Sequence, residues 1–237
     1  MKIVKISLSV IAVLFIFLLT GRAVNAQSIY TSKQSGIDVS WPNCAAKPVT
    51  NASFGIVGVT YGKSFTANPC LNSEARWFNS FSLYANTGYP GSNYAEKYKN
   101  YPNICSSNDL RCLAYNYGFN AGRYASDKAL TSGVLSSTWW LDVEKVNSWT
   151  SDYKQNRKAL RGMSDAKKLS GVRIVGYYST PTQCNDLTNN WKNRQPNWVA
   201  TGSVLAAAKG YCTGYNFTGG ETWLTQYLSN LDQDYAC

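Results

Sequence analysis

The sequence predicts an α/β protein, a closed barrel in which five β-α units are followed by three further strands. Short apolar stretches alternate with segments of helical periodicity over most of the chain, and this alternation favours a parallel sheet. Eight strand candidates fit into about 211 residues, near the small end of the size range of such barrels. We therefore expect a TIM-like barrel of the (β/α)5(β)3 type. A doubly wound open sheet is the alternative that the pattern allows.

The first 26 residues have the features of a secretory signal peptide. Lys2 and Lys5 precede the apolar run ISLSVIAVLFIFLL, and the small-x-small sequence VNA follows. We expect cleavage after Ala26, because the apolar run is short for a membrane span. An uncleaved anchor is the alternative. Residues 27–237 should then form one monomeric domain, either secreted or associated with the cell wall.

Composition excludes several kinds of function. The formal net charge of +10 falls to about +7 without the first 26 residues, which carry three cations and no acid. Such a basic balance suits contact with anionic surfaces such as cell-wall polymers, and nothing resembles a nucleic-acid module. The chain has no histidine, which removes Ser-His-Asp and Cys-His catalysis and argues against zinc. We predict no metal and no cofactor, so catalysis would rest on carboxylates, tyrosines, lysines or a thiol.

The cysteine count indicates disulfides with one thiol left over. Seven cysteines follow the signal, and export makes disulfide formation the default. Proximity along the chain suggests the pairs Cys105–Cys112 and Cys212–Cys237, and then Cys44–Cys70, with Cys184 unpaired. Other connectivities stay open from the sequence.

The first three strand candidates lie before residue 92. Apolar and polar side chains alternate in residues 36–40, GIDVS, and Pro42 ends that strand. Residues 52–62 form an apolar, glycine-bounded stretch of the buried-strand type. A short helix is predicted over residues 70–80, and a third strand that ends in a turn over residues 81–91.

A long helix and the fourth strand follow. Residues 91–108 are polar and are predicted to be a loop. Apolar residues three and four positions apart predict a helix over 110–130, which Gly133 can end. The fourth strand is STWWLDVE, residues 137–144.

The next helix is predicted over residues 152–169. Thr150 or Ser151 can cap its start, and Gly171 can follow its end. We interpret its many lysines and arginines as a solvated face.

The last part of the chain contains four strand candidates. Residues 172–181 are the fifth strand, followed by a short helix over 182–191. The remaining strands, PNWVA at 196–200, ETWLTQYL at 221–228 and LDQDYA at 231–236, have little helix between them.

Two acids stand in the apolar fourth strand. Asp142 and Glu144 have the same parity, so both point into the barrel while their apolar neighbours face the helices. They lie near the carboxyl end of the strand, where barrels of this kind have their active sites. Asp38 on the first strand and Asp232 and Asp234 on the last add three more carboxylates. We expect all five at one mouth.

Crowded carboxylates can serve acid catalysis. Like charges and partial burial raise some of the pKa values, so one acid can stay protonated beside an ionised neighbour, as glycoside cleavage requires. Aromatic rings near the strand ends suit the apolar faces of sugars: Trp41, Trp139, Trp140, Trp198, Tyr84, Tyr177 and Tyr178. Alternatively, the acids cap helices, pair with cations or bind calcium, and the aromatic residues belong to the core.

Several motifs resemble a known family. GIDVS, LDVE and QYLSNLDQDY resemble the glycoside hydrolase family 25 lysozymes. GIDVSWPNC, NPCL, WWLDVE with NSW, GYYSTP, FTGG and DQDYAC are similar to a secreted, actinobacterial-type branch of glycoside hydrolase-like proteins. The motifs run through nearly the whole mature chain. The third strand, the loop with Cys105 and Cys112, and Cys184 depart from the lysozyme pattern.

The resemblance implies a role for each acid. Glu144 would be the general acid, and Asp142 would stabilise the developing positive charge or orient the acetamido group of the sugar. Asp38 and Asp232 would complete the acidic floor, with Asp234 as the alternative to Asp232. The residues expected to contact the sugar are Tyr84, Tyr178, Trp198, Gln226 and Trp41, with Asp234 beside them. The implied reaction is hydrolysis of the β-1,4 bond after N-acetylmuramic acid in peptidoglycan.

Two other functions fit the same barrel. A cell-wall protein that only binds glycan would keep the aromatic residues and the basic charge. A hydrolase or transglycosylase could act on another polysaccharide. A catalytic barrel should have Glu144 and Asp142 partly exposed at the bottom of a groove with no lysine or arginine in contact, and neutralisation of these acids by cations would exclude catalysis.

Overall fold

The computed structural model describes residues 29–45, 47, 51–229 and 231–237. Eight strands close into one barrel in sequential order, so the prediction of an α/β barrel is confirmed and the open-sheet alternative is wrong. The predicted signal peptide, residues 1–26, lies outside the described residues. Among the residues that are described, no helix is long and apolar enough to cross a membrane.

The strands run parallel except for the last one. They are β1 (Ser35–Val39), β2 (Phe54–Gly58), β3 (Phe81–Asn86), β4 (Thr138–Asp142), β5 (Ile174–Ser179), β6 (Asn197–Ala200), β7 (Thr222–Tyr227) and β8 (Gln233–Ala236). β8 pairs antiparallel with both β7 and β1 and closes the barrel. Its first residues therefore lie at the face where the parallel strands end.

The helices have very different lengths. They are α1 (Leu71–Ala75), α2 (Ser92–Ala95), α3 (Leu110–Thr131), α4 (Tyr153–Leu169), α5 (Pro181–Thr188) and α6 (Leu205–Gly210). In the described part of the link from β1 to β2 there is a 3-10 turn, Trp41–Asn43, and the six-residue α6 lies between β6 and β7. The division into five β-α units and three bare strands is thus approximate.

Two local predictions need correction. The predicted loop over 91–108 contains α2 and a 3-10 turn, Glu96–Tyr98. Asp152, rather than Thr150 or Ser151, caps α4, because its Oδ1 accepts from the backbone N–H groups of Lys154 and Gln155.

Glycines follow both long helices, as predicted. Gly133 lies beyond the end of α3 with φ 68°, and Gly171 lies beyond the end of α4 with φ 86°. Positive φ is the left-handed region that glycine adopts without a steric penalty, and this conformation ends the helix.

The cations of α4 do not all lie on a solvated face. Lys167 is fully buried, and its Nζ lies 3.4 Å from the centroid of the Trp139 ring. The same Nζ donates to the backbone oxygen of Gly122 at 3.0 Å and to Ser126 Oγ at 3.1 Å. Loss of hydration holds the pKa of Lys167 well below its usual range. This lysine joins α4 to α3 and to the barrel wall.

The disulfides agree with the expected pairing. Cys44–Cys70, Cys105–Cys112 and Cys212–Cys237 are bonded, and Cys184 is a buried free thiol. The first bridge joins the 3-10 turn after β1 to the start of α1. The third bridge holds the end of β8 against the segment after α6.

Strand parity separates two apolar layers. Side chains such as Val39, Leu83 and Leu141 pack between the sheet and the helices. Trp140 and its neighbours fill the inside of the barrel. A Cβ on Gly176 would lie 2.2 Å from the Trp140 ring, so that strand position must be glycine. Aromatic side chains fill the inside of the barrel. The polar inward-facing residues lie at the end of the barrel where the parallel strands finish.

Candidate active site

Five carboxyl groups lie at the carboxyl end of the parallel strands. Asp142 is the last residue of β4, Glu144 follows two residues later, and Asp38 points inward from β1. Asp232 directly precedes β8 and Asp234 lies within it. Because β8 is antiparallel, the start of this strand brings both aspartates to the mouth. The structure therefore brings together all five predicted acids.

Asp142 is more deeply buried than expected. Its side chain is only 3% exposed, and its Oδ2 accepts a short hydrogen bond from Asn86 Nδ2. Burial raises its pKa well above the usual range, and the adjacent Glu144 charge raises it further. The expectation that Asp142 is partly exposed is wrong, because the carboxyl group lies inside the closed sheet beside β3.

Asn86 was not among the predicted site residues. It lies directly beside Asp142 in the register of β3 and β4. Thr60 Oγ1 donates to Asn86 Oδ1 at 2.7 Å, which directs the amide nitrogen of Asn86 toward Asp142. The sequence signal for this residue was its inward parity at the end of the third strand.

Glu144, like Asp38 and Asp232, is reachable from solvent. It is partly exposed, and its backbone oxygen accepts from Trp149 Nε1 at 2.7 Å, which fixes the turn after β4. Burial raises its pKa, the Asp232 charge adds to the shift, and a hydrogen bond from Gln183 opposes it. Gln183, on α5, is a second site residue that the sequence analysis did not identify. A partly buried acid beside a like charge holds its proton to higher pH than an isolated glutamate.

Asp38 belongs to a hydrogen-bonded chain that crosses the mouth. Tyr178 Oη donates to Gln226 Oε1 at 2.7 Å, and Gln226 Nε2 donates to Asp38 Oδ2 at 2.9 Å. Burial and the charge of Asp232 raise the pKa of Asp38 to about 7, against the effect of the Gln226 hydrogen bond. Gln226 thus holds two predicted site residues in place.

Asp234 and Trp198 lie beneath the surface of the site. Asp234 is fully buried and Trp198 is 1% exposed, with Trp198 Nε1 donating to Asp234 Oδ1 at 2.7 Å. Burial and the charge of Asp38 raise the pKa of Asp234 well above its usual range. Direct sugar contact by these two residues is therefore not possible in this structure. They support Asp38 and the aromatic wall.

Of the other predicted aromatic residues, Trp139, Trp140 and Tyr177 are buried in the core and cannot face a sugar, whereas the remaining three line the wall and the rim. Tyr178 packs on Trp198 with ring centroids 4.3 Å apart, and Tyr84 meets the same indole edge-on. Trp41 is 37% exposed and packs on Tyr61 with ring centroids 4.2 Å apart. Trp41 follows β1 and Tyr61 follows β2, so this exposed pair lies on the rim at the strands' carboxyl ends.

No cation neutralises the cluster within the part of the chain that the structure describes. The ion pairs there are Lys99 with Glu96 and Lys145 with Asp186, and both pairs are at the surface. The same residues include no group of three or more His, Cys, Asp or Glu side chains arranged to hold a metal ion. The site is therefore a cluster of carboxyl groups that no described cation pairs with.

Comparisons with known proteins point to one family. No family model matches the chain. A segment of 64 residues is 31% identical to a probable glycoside hydrolase family 25 lysozyme of Dictyostelium discoideum. This match covers 26% of the chain and spans 30% of the length of that relative.

Solved structures agree with this match at the level of the fold. A glycosyl hydrolase 25 of Streptococcus pneumoniae, described as a virulence factor in host cell invasion, superposes with a TM-score of 0.53 at 14% identity. The superposition covers 86% of this chain and 87% of that one. A muramidase from Trichobolus zukalii gives a TM-score of 0.50 at 15% identity, over 86% and 93% of the two chains.

The chain is similar to the glycoside hydrolase family 25 lysozymes. The likeness is one of sequence over a short segment and of fold over most of the length, and it agrees with the resemblance inferred from the motifs.

Proposed function

We propose that this protein is an exported glycoside hydrolase that cleaves the glycan backbone of peptidoglycan, at the β-1,4 bond after N-acetylmuramic acid. The similarity to a probable lysozyme and to a muramidase supports the substrate class. One observation carries the proposal most strongly. Glu144 is a partly exposed carboxyl group with a raised pKa, inside an acid cluster that no described cation neutralises.

Glu144 serves as the general acid. Its raised pKa holds the proton to a higher pH than an isolated glutamate would, and its partial exposure lets a bound glycan reach that proton. The proton moves to the glycosidic oxygen as the bond to the anomeric carbon breaks. The leaving sugar then departs as a neutral alcohol, and a water molecule completes the hydrolysis by supplying its oxygen to the anomeric carbon and a proton to the carboxylates of the site.

Asp142 stabilises the positive charge that develops on the sugar or on its acetamido group. Asn86 holds the Asp142 carboxyl group in one orientation, and burial keeps water away from it. A charge that develops beside a buried, pre-oriented carboxyl group is stabilised more strongly than it would be in water. The same positive charge favours the ionised form of Asp142.

Asp38 and Asp232 form the acidic floor. Asp38 is held by Gln226 and supported from below by Asp234. Asp232 is exposed and raises the pKa of Glu144 through its charge. Tyr84, Tyr178 and the exposed ring of Trp41 provide apolar faces for the sugar.

The release of reducing ends from purified peptidoglycan tests the proposal. We expect residues 27–237 to release them, and Glu144→Gln to lose about 10²-fold or more of the rate, because general acid catalysis contributes that much. Glu96→Gln is the matched control, since Glu96 pairs with Lys99 at the surface and should be dispensable.

Two results would contradict the proposal. Equal activity in the wild type and in Glu144→Gln would remove Glu144 from the chemistry. No activity in either, with glycan still bound by both, would establish the alternative, a barrel that binds cell-wall glycan without cleaving it.

Export is part of the proposal. Three disulfides in a chain of this size suit an oxidising compartment. N-terminal sequencing of protein recovered from the culture medium should begin at Gln27. Recovery in the membrane fraction with Met1 retained would indicate an uncleaved anchor instead.

A further inference from the structure

A basic groove lies on the outside of the barrel. It begins near the acidic mouth and extends along the barrel wall toward the opposite end. Two neighbouring depressions of about 230 Å³ and about 330 Å³ share Arg161 and Trp191 and therefore form one continuous surface. This basic groove lies over α4, the start of α3 and the segment between α5 and β6. The proposed hydrolysis does not use it.

The first depression is lined by cations and one aromatic ring. Its lining residues are Arg111, Lys154, Arg157, Lys158, Arg161 and Trp191. The four cations from α4 follow a spacing of three and four residues, so they lie on one face of the helix. Among the residues that the structure describes, no acidic side chain lines this depression.

The second depression continues the same charge. Lys168, Lys192 and Arg194 join Arg161 there, and Asp165 is the one acid among the lining residues. Asp165 Oδ2 accepts from Tyr115 Oη at 3.0 Å and makes no ion pair with the groove.

Most of these charges have no acidic partner. Neither ion pair within the described ranges involves a cation of the groove. Arg157 donates to the backbone oxygens of Thr188 and Asn189, and Lys192 donates to that of Phe217. The other groove cations direct no hydrogen bond to an acid. Concentrating one sign of charge raises the energy of the free protein through self-repulsion, and an anion in the groove would relieve this.

The length of the groove indicates the form of the ligand. Lys154 and Lys168 are separated by 14 positions on α4, which is about 21 Å at the helical rise per residue. A single small anion cannot reach both. Arginine binds phosphate oxygens through two parallel N–H donors, and half of the groove cations are arginines. An extended chain with a phosphate at regular intervals fits both features.

We propose that the basic groove binds a linear phosphodiester polymer of the cell envelope. α4 follows the carboxyl end of β4, so the groove begins near the mouth and leads away from it along the barrel wall. A polymer bound there would hold the protein on the envelope and leave the acidic mouth open. The assignment to the envelope rests on the proposed export, while binding of the polymer does not depend on catalysis.

The test is a titration in which residues 27–237 are added to fluorescently labelled poly(glycerol phosphate). The fluorescence of the polymer reports binding. The double variant Lys158→Glu with Arg161→Glu reverses two adjacent groove charges. Arg76→Glu with Arg173→Glu is the matched control. Both arginines are exposed and lie outside the groove, and the control variant has the same net charge as the groove variant. Thermal unfolding checks that both double variants are folded.

We expect the groove variant to bind at least about tenfold more weakly, and the control to change by less than about threefold. The slope of log affinity against log salt should fall by roughly one for each groove cation lost. Glu144→Gln should bind the polymer as the wild type does, which separates this proposal from the proposed hydrolysis.

Three outcomes would overturn the proposal. Equal weakening in the two double variants would mean that net charge alone attracts the polymer. Tighter, groove-dependent binding of a single-stranded oligonucleotide would assign the groove to nucleic acid. Equal, groove-dependent binding of polyglutamate would show that the groove does not distinguish phosphate from carboxylate.

Discussion

At the scale of single residues, the site depends on how each carboxyl group is buried. Glu144 is partly exposed and can meet substrate, whereas Asp142 and Asp234 are enclosed and are held by Asn86 and Trp198. Residues of one chemical type therefore have different roles. The enclosed acids carry raised pKa values, so they hold protons that the same groups release in the unfolded chain.

Asp234→Asn should make the protein less sensitive to alkaline pH. The folded-state pKa of Asp234 is raised, so this residue contributes stability below its unfolded pKa of about 4 that is lost as the pH rises through the folded value. An asparagine keeps an acceptor for Trp198 and cannot ionise. Urea unfolding at pH 5 and pH 8 should show a smaller loss of stability for the variant. Asp186→Asn, at the surface, is the control, and an unchanged pH dependence in Asp234→Asn would contradict the argument.

At the scale of elements, α3 and α4 approach each other through glycines. A Cβ on Gly118 would lie 1.8 Å from the backbone oxygen of Ala159, and one on Gly162 would lie 2.1 Å from that of Tyr115. Lys167 then spans the same pair of helices near their other end. Close backbone contact and a buried cation together hold α4 in place, and the outer face of α4 carries much of the basic groove.

Gly118→Ala should destabilise the protein, although alanine favours a helix. The added methyl group must displace backbone rather than a flexible side chain, and overpacking of this kind costs roughly 1–3 kcal/mol. Gly210→Ala, at the last residue of α6, is the matched control, because no described atom lies within 4 Å of its Cβ and the added methyl group meets no neighbour. Urea unfolding of both variants measures the difference. Stabilisation of Gly118→Ala would mean that the two helices do not touch there.

At the scale of the whole molecule, the antiparallel β8 completes the site. This strand closes the barrel between β7 and β1 and carries Asp234 beneath Asp38. The Cys212–Cys237 bridge holds its far end, so the bridge and the acidic floor depend on one strand. Packing at the chain terminus therefore affects the site.

Removal of the Cys212–Cys237 bridge should reduce stability and activity together. The bridge closes a segment of 25 residues, and the chain-entropy argument gives about 3.5 kcal/mol for it. The same argument gives about 2.4 kcal/mol for Cys105–Cys112, with a separation of 7 residues, so that bridge is the control. Both pairs are replaced by serine and compared by urea unfolding and by release of reducing ends. Equal losses of activity would separate the bridge from the site.

Much of this organisation is readable from the sequence. Strand periodicity of two does not depend on neighbouring strands, so the inward direction of Asp38, Asp142 and Asp234 followed from local pattern alone. Proximity along the chain suggested the cysteine pairs but left other connectivities open, and the structure forms the suggested pairs. The glycines after α3 and α4 marked the ends of the helices, because their left-handed conformation is a local property.

Other features depended on contacts between distant segments, and only the tertiary structure decided them. Asn86 holds Asp142 because of the β3–β4 register, which no local pattern encodes. The sequence pattern predicts that Lys167 is at the surface, but in the folded protein α3 and Trp139 enclose its side chain. The depth of Asp234 and Trp198 depends on the closure of the barrel by an antiparallel strand. The sequence by itself determined which faces carry acids and which cysteines are near one another, because both are local properties. Burial, and with it each raised pKa, required the assembled barrel, because desolvation is produced by residues far apart in the chain.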